Sequence, residues 1–420
     1  MHDAVTVYGR DSFVAPHLGG YALFRPLAAV VATFAMTLAA TPPAAAWEPT
    51  GGPMFNNPWG ATGARWKIVN HVNKAINTAR PGSRVLVSTF LFDSQASADA
   101  LIKARNRGVQ VQVVFDGDDA DTRQAHRVAN VLNRDNVAAA PPPARWGKDN
   151  SFAVFCKGSC RAGRANNHAK FYVFTRTGTA SDVVMVSSSN LNKGGAVKGW
   201  NDMYVAKSKP QMVKQYSDIH AEMAKDTPSD GDGFRELVSG QFISRFYPKL
   251  RGEDPVMQDL AKVSCRGADG GAGRNGRTAI NVSMFAWNGA RGERIARRLV
   301  RLDNLGCDVS VIYGAPSKIV RNILRTSARK GQVKLWDSRY DRNGDGIFDV
   351  RVHHKYMLIN GRYGDDRSAW RVHTGSQNWG QGTLRGGDEN TLTIVNRGVY
   401  AKYMQNWNYV RANGARRIGR

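Results

Sequence analysis

The chain has 420 residues, and its 59 Lys and Arg residues outnumber 34 Asp and Glu residues, which gives a formal net charge of +25. This length is typical of two domains or one duplicated unit, and a hydrophobic content of 42% can fill real cores, which excludes wholesale disorder. The mean hydropathy of −0.42 excludes a multi-span membrane protein. The composition therefore indicates a strongly basic globular protein.

The first 46 residues predict a secretory signal peptide. An apolar run from Leu27 to Ala40 follows Arg25, and the small residues Ala44–Ala46 suit a cleavage site. The run is shorter than the about 20 apolar residues that a membrane-spanning helix needs. We therefore expect a secreted protein that begins at Trp47 after cleavage, with an uncleaved N-terminal anchor as the alternative.

Two segments share one order of signals, which indicates an internal duplication. In the first copy, residues 83–117, the predicted elements are a strand over 85–92, a helix over 96–107 and a strand over 109–115. Residues 278–314 repeat strand, helix, glycine and strand. Parallel strands joined by helices form α/β units, so the sequence predicts two similar α/β lobes, each a mixed β-sheet flanked by helices.

The segment between the two copies is rich in Gly, Asp, Ser and Arg and has little periodicity, so we place the lobe boundary near residue 250. The predicted domains are the signal peptide over 1–46, an N-terminal lobe over 47–250 and a C-terminal lobe over 251–420. A proline-rich stretch over 138–151, which contains Trp146, predicts a surface loop.

Four cysteines in an exported chain favour two disulfides. Cys156 and Cys160 are close in sequence, whereas Cys265 and Cys307 are farther apart, and three pairings remain open. A zinc site is the alternative, but no second close pair of Cys or His completes a tetrahedral set. We therefore predict that the cysteines are structural.

Each lobe carries a His-x-Lys pair followed by an apolar strand: His168 and Lys170 in the first, His353 and Lys355 in the second. Side chains at positions i and i+2 of a strand share a face, so each pair is expected to converge on one ligand. A Ser-x-Asn pair and then a carboxylate follow in each lobe. These residues are Ser188, Asn190 and Asp202 in the first lobe, and Ser376, Asn378 and Glu389 in the second.

These residue types suit chemistry on a phosphodiester. Lysine, asparagine and serine donors can hold the non-bridging oxygens of the phosphate as its phosphorus reacts. One imidazole can attack phosphorus and the other can protonate the leaving oxygen, so we expect no cofactor. Asp202 and Glu389 are expected to accept a ring N–H and so orient the histidines.

The duplicated motif resembles the phospholipase D superfamily, whose pattern is HxKxxxxD followed by GSxN, present twice. The resemblance covers nearly the whole mature chain, from Met54 to the strand after Glu389. It implies one active site at the interface of the two lobes, with His168 as the nucleophile that becomes a phosphohistidine and His353 as the general acid, although these roles can be exchanged. It also implies that phosphate is bound by Lys170, Lys355, Asn190 and Asn378.

The chain departs from the family pattern at three positions. Thr175 and Asn360 replace the aspartates of the two motifs, and Ser187 replaces the glycine of the first GSxN. In the family this aspartate is a supporting residue, so we expect the chemistry to be retained. An altered or weakened enzyme is the alternative.

A separate segment, Asp341 to Asp349, is typical of a calcium-binding loop. Asp341, Asn343 and Asp345 have the required offsets, but Val352 occupies the twelfth position, where such a loop has Glu. The alternative is an Asp/Gly turn that leads into the strand of His353.

The sequence thus predicts a secreted phosphodiesterase that hydrolyses phospholipid head groups and can transfer them to an alcohol. Its expected partner is a phospholipid or membrane surface, where Trp146 and Trp379 would make contact, and no obligate protein partner is expected, so the protein would be a monomer. The alternative is a nuclease of the same superfamily, since a net charge of +25 suits nucleic acid as well as anionic lipid. A phosphate-binding protein without activity is a third hypothesis, motivated by Thr175 and Asn360.

Overall fold

Two large β-sheets organise the protein. The computed structural model describes residues 47–137, 140, 145–147, 149–229 and 231–419. The predicted signal peptide over 1–46, and most of the proline-rich stretch, lie outside the described residues. No helix within the described ranges is long and apolar enough to cross a membrane.

The strands in chain order are β1 (Gly52–Phe55), β2 (Arg84–Thr89), β3 (Gln110–Asp116), β4 (Phe152–Cys156), β5 (Phe171–Thr177), β6 (Ala180–Ser187), β7 (Gly199–Trp200), β8 (Asp202–Ala206), β9 (Arg235–Ser239), β10 (Phe242–Tyr247), β11 (Val263–Ser264), β12 (Ala279–Trp287), β13 (Asp308–Pro316), β14 (Lys334–Asp337), β15 (Arg351–Val352), β16 (Lys355–Tyr363), β17 (Asp366–Gly375), β18 (Glu389–Val395) and β19 (Arg416–Ile418). The helices are α1 (Thr62–Arg65), α2 (Lys67–Asn77), α3 (Gln95–Asn106), α4 (Arg123–Leu132), α5 (Lys193–Val197), α6 (Pro210–Met223), α7 (Pro255–Ala261), α8 (Gly289–Asn304), α9 (Lys318–Arg329), α10 (Gln381–Arg385) and α11 (Arg397–Asn413).

Both sheets are mixed. The first has the order β1-β8-β6-β5-β2-β3-β4, and its strands β2, β3 and β4 are parallel. The second has the order β19-β14-β13-β12-β16-β17-β18-β10-β9, with β11 paired to β16, and its strands β12, β13 and β14 are parallel. We call each sheet with its helices a lobe. The predicted class, two α/β lobes with mixed sheets flanked by helices, is confirmed.

The predicted repeat units are present in both lobes. β2, α3 and β3 form the first, and β12, α8 and β13 form the second, each with a parallel strand pair. Helix α3 begins at Ser94, whose side chain accepts a hydrogen bond from the Ser97 N–H and so caps the helix. The structural elements lie within a few residues of the predicted ones.

The chain passes from the first sheet to the second between Ala206 and Arg235. Strand β9 pairs with β10, and β10 pairs with β18, so both strands belong to the second sheet. Residues Ala46–Arg420 form one compact unit. The lobe boundary near residue 250 therefore stays a prediction, and the exchange of sheets itself occurs earlier in the chain.

The main core lies between the two sheets. Side chains alternate along a strand, so Leu86 of β2 faces this central core while Val85 and Val87 face the outer layer, where α2, α3 and α4 pack. Strands buried on both faces need apolar residues at nearly every position, which explains their continuous hydrophobic runs. The central core also contains residues of β16, β17 and β18 together with α6 and α11, so it joins the two lobes.

The four cysteines form two disulfides, Cys156–Cys160 and Cys265–Cys307. The first closes a short loop after β4, and the second ties the chain after β11 to the start of β13. The pairs are 4 and 42 residues apart in sequence. A cross-link that closes a longer loop removes more entropy from the unfolded chain.

We therefore expect the double replacement Cys265→Ser/Cys307→Ser to lower the free energy of unfolding by about 4 kcal/mol, and Cys156→Ser/Cys160→Ser by about 2 kcal/mol. Urea unfolding of both variants beside the wild-type protein measures this. The opposite ranking would show that loop entropy does not decide the contribution of these disulfides.

Candidate active site at the lobe interface

Each motif histidine is held by the backbone of the opposite lobe. The His168 N–H donates to the carbonyl of Asp388 at 2.9 Å, and the His353 N–H donates to the carbonyl of Trp200 at 2.8 Å. Strand β15 immediately precedes His353. It pairs in parallel, across the interface, with β7, which contains Trp200. The two histidines therefore enter one site only when both lobes are present.

The ring of each histidine also takes its partner from the opposite lobe. His168 Nδ1 lies 2.9 Å from Glu389 Oε1, and His353 Nδ1 lies 2.8 Å from Asn201 Oδ1. The Asn201 amide donates to the carbonyls of Gly195 and Gly199, which turns its oxygen toward the imidazole. Both rings therefore donate from Nδ1, and Nε2 is left as the basic nitrogen of each neutral imidazole.

Asp202, one of the two carboxylates that we expected to orient the histidines, lies elsewhere. Its carboxylate accepts hydrogen bonds from Thr374 Oγ1 and from the Tyr403 hydroxyl, the latter at 3.0 Å. Asp202 thus connects the first lobe to β17 and α11 of the second, and the structure assigns the contact with His353 to Asn201.

The internal repeat explains this one-residue difference. The Ser188 N–H donates to the Asp202 carbonyl and the Ser376 N–H donates to the Asn390 carbonyl, each at 2.9 Å. Asp202 is therefore equivalent to Asn390, and Asn201 is equivalent to Glu389. Successive side chains of a strand point to opposite faces, so a one-residue error in register selects the wrong side chain.

Each motif lysine donates a hydrogen bond to the backbone carbonyl of the histidine in its own motif. Lys170 Nζ donates to the His168 carbonyl at 2.6 Å, and Lys355 Nζ donates to the His353 carbonyl at 2.7 Å and lies 3.1 Å from Nε2 of that ring. Each ammonium also lies over a phenyl ring, at 5.1 Å from the centroid of Phe90 and 5.0 Å from that of Phe285.

The Ser-x-Asn residues divide into two roles. Asn190 Oδ1 accepts from the Leu91 N–H at 3.2 Å and Asn378 Oδ1 accepts from the Ala286 N–H at 3.3 Å, so the backbone fixes the orientation of each amide. The buried serine hydroxyls are bonded within the protein instead. Ser188 Oγ contacts Asn201 Oδ1 at 3.1 Å, and Ser376 Oγ donates to Glu389 Oε2. The serines, which we expected to bind phosphate, thus hold the partners of the histidines.

A cavity of about 290 Å³ lies against both histidines. Phe90 and Phe285 form two of its walls, with ring centroids 4.8 Å and 4.6 Å from those of His168 and His353. Sequence reasoning missed both phenylalanines. The signal was present, because each follows the serine of its repeat by two residues, in STF and in SMF.

Burial dominates the electrostatics of the site. It lowers the pKa of both histidines well below 6.5, with the two lysines as the next cause, and it lowers the pKa of Lys355. It also lowers the pKa of Lys170 to about 7 and raises the pKa of Glu389. Charged forms are thus disfavoured while the cavity lacks an anion. A bound phosphate would favour the protonated, charged forms of the histidines and lysines, but not the charged form of Glu389.

The departures from the family pattern lie away from this chemistry. Thr175 Oγ1 accepts from the Arg84 N–H at 2.9 Å, and Asn360 bonds the Gly273 N–H and the Ala369 carbonyl. Ser187 Oγ donates to the carbonyl of Asp202. All three support the backbone.

In the segment Asp341 to Asp349, aspartate carboxylates hold a turn. Both carboxylate oxygens of Asp341 accept backbone N–H groups, from Gly344 and Gly346, and Asp345 accepts the N–H of Ile347. Over the described part of the chain, no group of three or more His, Cys, Asp or Glu side chains is placed to hold a metal ion. A calcium site at Asp341, Asn343 and Asp345 stays a prediction.

Of the two tryptophans expected at a membrane surface, Trp379 packs inside the protein and Trp146 is half-buried. Trp379 is 4% exposed and contacts the Trp287 ring at 4.5 Å between centroids. Trp146 stacks on Phe152 at 4.1 Å. The expectation for Trp379 was wrong, because its indole is needed to fill the core of the second lobe.

Comparison with known proteins agrees with this geometry. The family model described as the PLD-like domain of cardiolipin synthase matches residues 72–224 and 274–410. No curated protein matches the chain by sequence.

Two solved structures share the fold. The phosphatidylserine synthase of Haemophilus influenzae Rd KW20 is similar over 89% of this chain and 88% of its own, at 13% identity and a TM-score of 0.56. The polyphosphate kinase of Porphyromonas gingivalis is similar over 87% of this chain, at 12% identity and a TM-score of 0.54. This chain spans about half, 48%, of the length of that kinase. The family model covers most of both lobes, and the chain therefore belongs to this family of PLD-like domains within the phospholipase D superfamily.

Proposed function

We propose that this protein is a secreted phospholipase D-like phosphodiesterase that acts on phospholipid head groups through a phosphohistidine. The observation that carries the proposal is the pair of histidines, one from each lobe, whose Nδ1 atoms are engaged and whose Nε2 atoms are left for chemistry. The cavity beside them and the two asparagine amides supply the place and the donors for a phosphate.

The reaction proceeds in two balanced steps. His168 Nε2 attacks phosphorus, the bond from phosphorus to the head-group oxygen breaks, and His353, which takes up a proton at Nε2 when the anionic substrate binds, gives that proton to the oxygen. Water or an alcohol then attacks the phosphohistidine and passes its proton to His353, and the bond to His168 breaks. Water yields phosphatidic acid, and an alcohol yields a new phosphodiester.

The two ring partners support this assignment of roles. A histidine that bonds to phosphorus becomes positively charged, and the carboxylate of Glu389 behind His168 stabilises that charge. An acid must release its proton readily. The neutral amide of Asn201 and the adjacent ammonium of Lys355 both favour proton loss from His353.

Three observations favour a lipid substrate. The matching family model is that of a PLD-like domain of cardiolipin synthase. The cavity is bounded and has two phenyl walls, which suits a small head group. Two disulfides and the N-terminal apolar run suit an exported protein that meets lipid surfaces. The net charge of +25 also favours a nuclease, which is the second candidate.

The first test uses the mature protein from Trp47 with vesicles of phosphatidylcholine, phosphatidylglycerol and cardiolipin, in ethanol and excess EDTA. We expect phosphatidylethanol, and we expect mass spectrometry of the quenched enzyme to find the phosphatidyl adduct on the peptide that contains His168. His168→Ala is expected to lower the rate by about 10³-fold or more. Cleavage of oligonucleotides without any lipid product would favour the nuclease instead.

A second test separates the roles of the two histidines by single-turnover kinetics. Glu389→Gln is expected to slow formation of the adduct by about 10²-fold or more, because the charged ring of His168 loses its counter-charge. Asn201→Ala is expected to cost roughly tenfold, and Asn201→Asp is expected to raise the pKa of His353 and move the pH profile upward. An equal cost for Glu389→Gln and Asn201→Ala would contradict the assignment.

A third test is the pH dependence of kcat/KM on bis(p-nitrophenyl) phosphate. Burial lowers the pKa of Lys170 to about 7, so its protonated form, which binds phosphate, is lost as the pH rises through that value. The lowered pKa of His168 keeps its ring neutral and nucleophilic below pH 6.5. We therefore expect a maximum on the acidic side of neutrality, and Lys170→Arg should move the basic limb upward. A maximum above about pH 8 would contradict these shifts.

A further inference from the structure

Two cations stand at the edge of the reaction cavity, on the segments that cross between the lobes. Lys198 immediately precedes β7, and Arg351 begins β15, the strand that pairs with β7. The Arg351 N–H donates to the Lys198 carbonyl at 3.1 Å, which fixes the two residues side by side. Both line the cavity together with His168 and His353.

Neither side chain forms an ion pair with a carboxylate within the described residues. The Arg351 guanidinium is half-buried and lies 5.2 Å from the Phe285 ring centroid, and burial lowers its pKa. Lys198 is exposed and interacts through space with Asp345, whose pKa is lowered first by hydrogen bonds from the Ile347 N–H and the Asn343 amide and to a smaller extent by Lys198.

The fully buried arginines among the described residues are paired with carboxylates. Arg291 bonds to Asp254 at 2.7 Å, and Arg245 bonds to Asp259 at 2.5 Å. No carboxylate neutralises the half-buried guanidinium of Arg351, so an anionic ligand can approach it without breaking an existing ion pair. Arg351 faces the cavity where an anionic substrate would bind, so the structure provides the location for that ligand.

We infer that Lys198 and Arg351 form a second anion-binding subsite, which holds a second phosphate or carboxylate of the same substrate molecule. The inference rests on the proposed function, because it requires the reacting phosphodiester to occupy the histidine pair at the same time. It names the substrate class as phospholipids whose head group carries a further anionic group.

The shape of the cavity beside Lys198 and Arg351 fits a compact head group. Its wall contains Gly194, Gly195 and Gly199, and a Cβ atom at Gly199 would lie 2.8 Å from the Cβ atom of His353. The glycine therefore permits the close approach of the backbone to the catalytic ring, and it leaves room beside the two cations. A polynucleotide also carries neighbouring phosphates, but its chain must continue past a cavity of about 290 Å³.

The test measures binding by calorimetry. Propane-1,3-diol bisphosphate is the probe with two anionic groups, and propyl phosphate is the probe with one. For the mature wild-type protein we expect the bisphosphate to bind about tenfold or more tightly than the monophosphate. Lys198→Ala/Arg351→Ala should abolish this advantage and leave propyl phosphate binding within about threefold. Lys193→Ala is the matched control, since this exposed lysine is five residues away and does not line the cavity.

Each outcome is informative. If phosphatidylethanol forms but the bisphosphate has no advantage, the subsite is wrong and the proposed function stands. If the advantage depends on Lys198 and Arg351 but no lipid product forms, the subsite stands and the proposed function fails. An equal loss in Lys193→Ala would overturn the inference in favour of general surface charge, and a dinucleotide that shows the same advantage without lipid turnover would overturn the lipid class.

Discussion

The active site depends on an exchange of hydrogen bonds between the two lobes. Each histidine takes a backbone acceptor and a ring partner from the lobe to which it does not belong: Asp388 and Glu389 for His168, Trp200 and Asn201 for His353. Neither lobe alone can orient its own histidine. The continuous apolar core between the sheets, and the inter-lobe contact of Asp202 with Tyr403, hold the lobes in the register that this exchange requires.

Burial then determines how the site responds to a substrate. Two histidines, two lysines and a glutamate share a desolvated space, where every isolated charge is unfavourable. An incoming phosphate supplies negative charge and raises the proton affinity of the lysines and histidines around it. Phosphate binding and protonation of the site are therefore coupled. The ring partners of the two histidines also differ from each other. A carboxylate behind one imidazole and an amide behind the other give two chemically different histidines in two similar lobes.

The sequence alone was sufficient for the repeats and the parallel strand pairs, because each rests on local periodicity or on a duplicated pattern. The resemblance to the phospholipase D superfamily implied that the two His-x-Lys motifs meet at the lobe interface. The sequence was insufficient where a single residue of register decides which side chain faces the site. Asp202 was expected to orient a histidine, whereas the hydrogen bonds of Ser188 and Ser376 define the true equivalence. The packing of Trp379, and the position of Arg351 at the cavity, depend on contacts distant in sequence.

The segments that cross between the lobes link specificity to catalysis. Strand β15 delivers His353 to the site and also carries Arg351, while the residues around β7 provide Lys198, Gly199 and the carbonyl that fixes the His353 backbone. A shift of either strand would move the cations and the acid histidine together. Under the proposed function, a change of head-group preference would therefore be restricted to changes of side chain on a fixed backbone, because a change of backbone at β7 or β15 would also displace His353 from its partner Asn201.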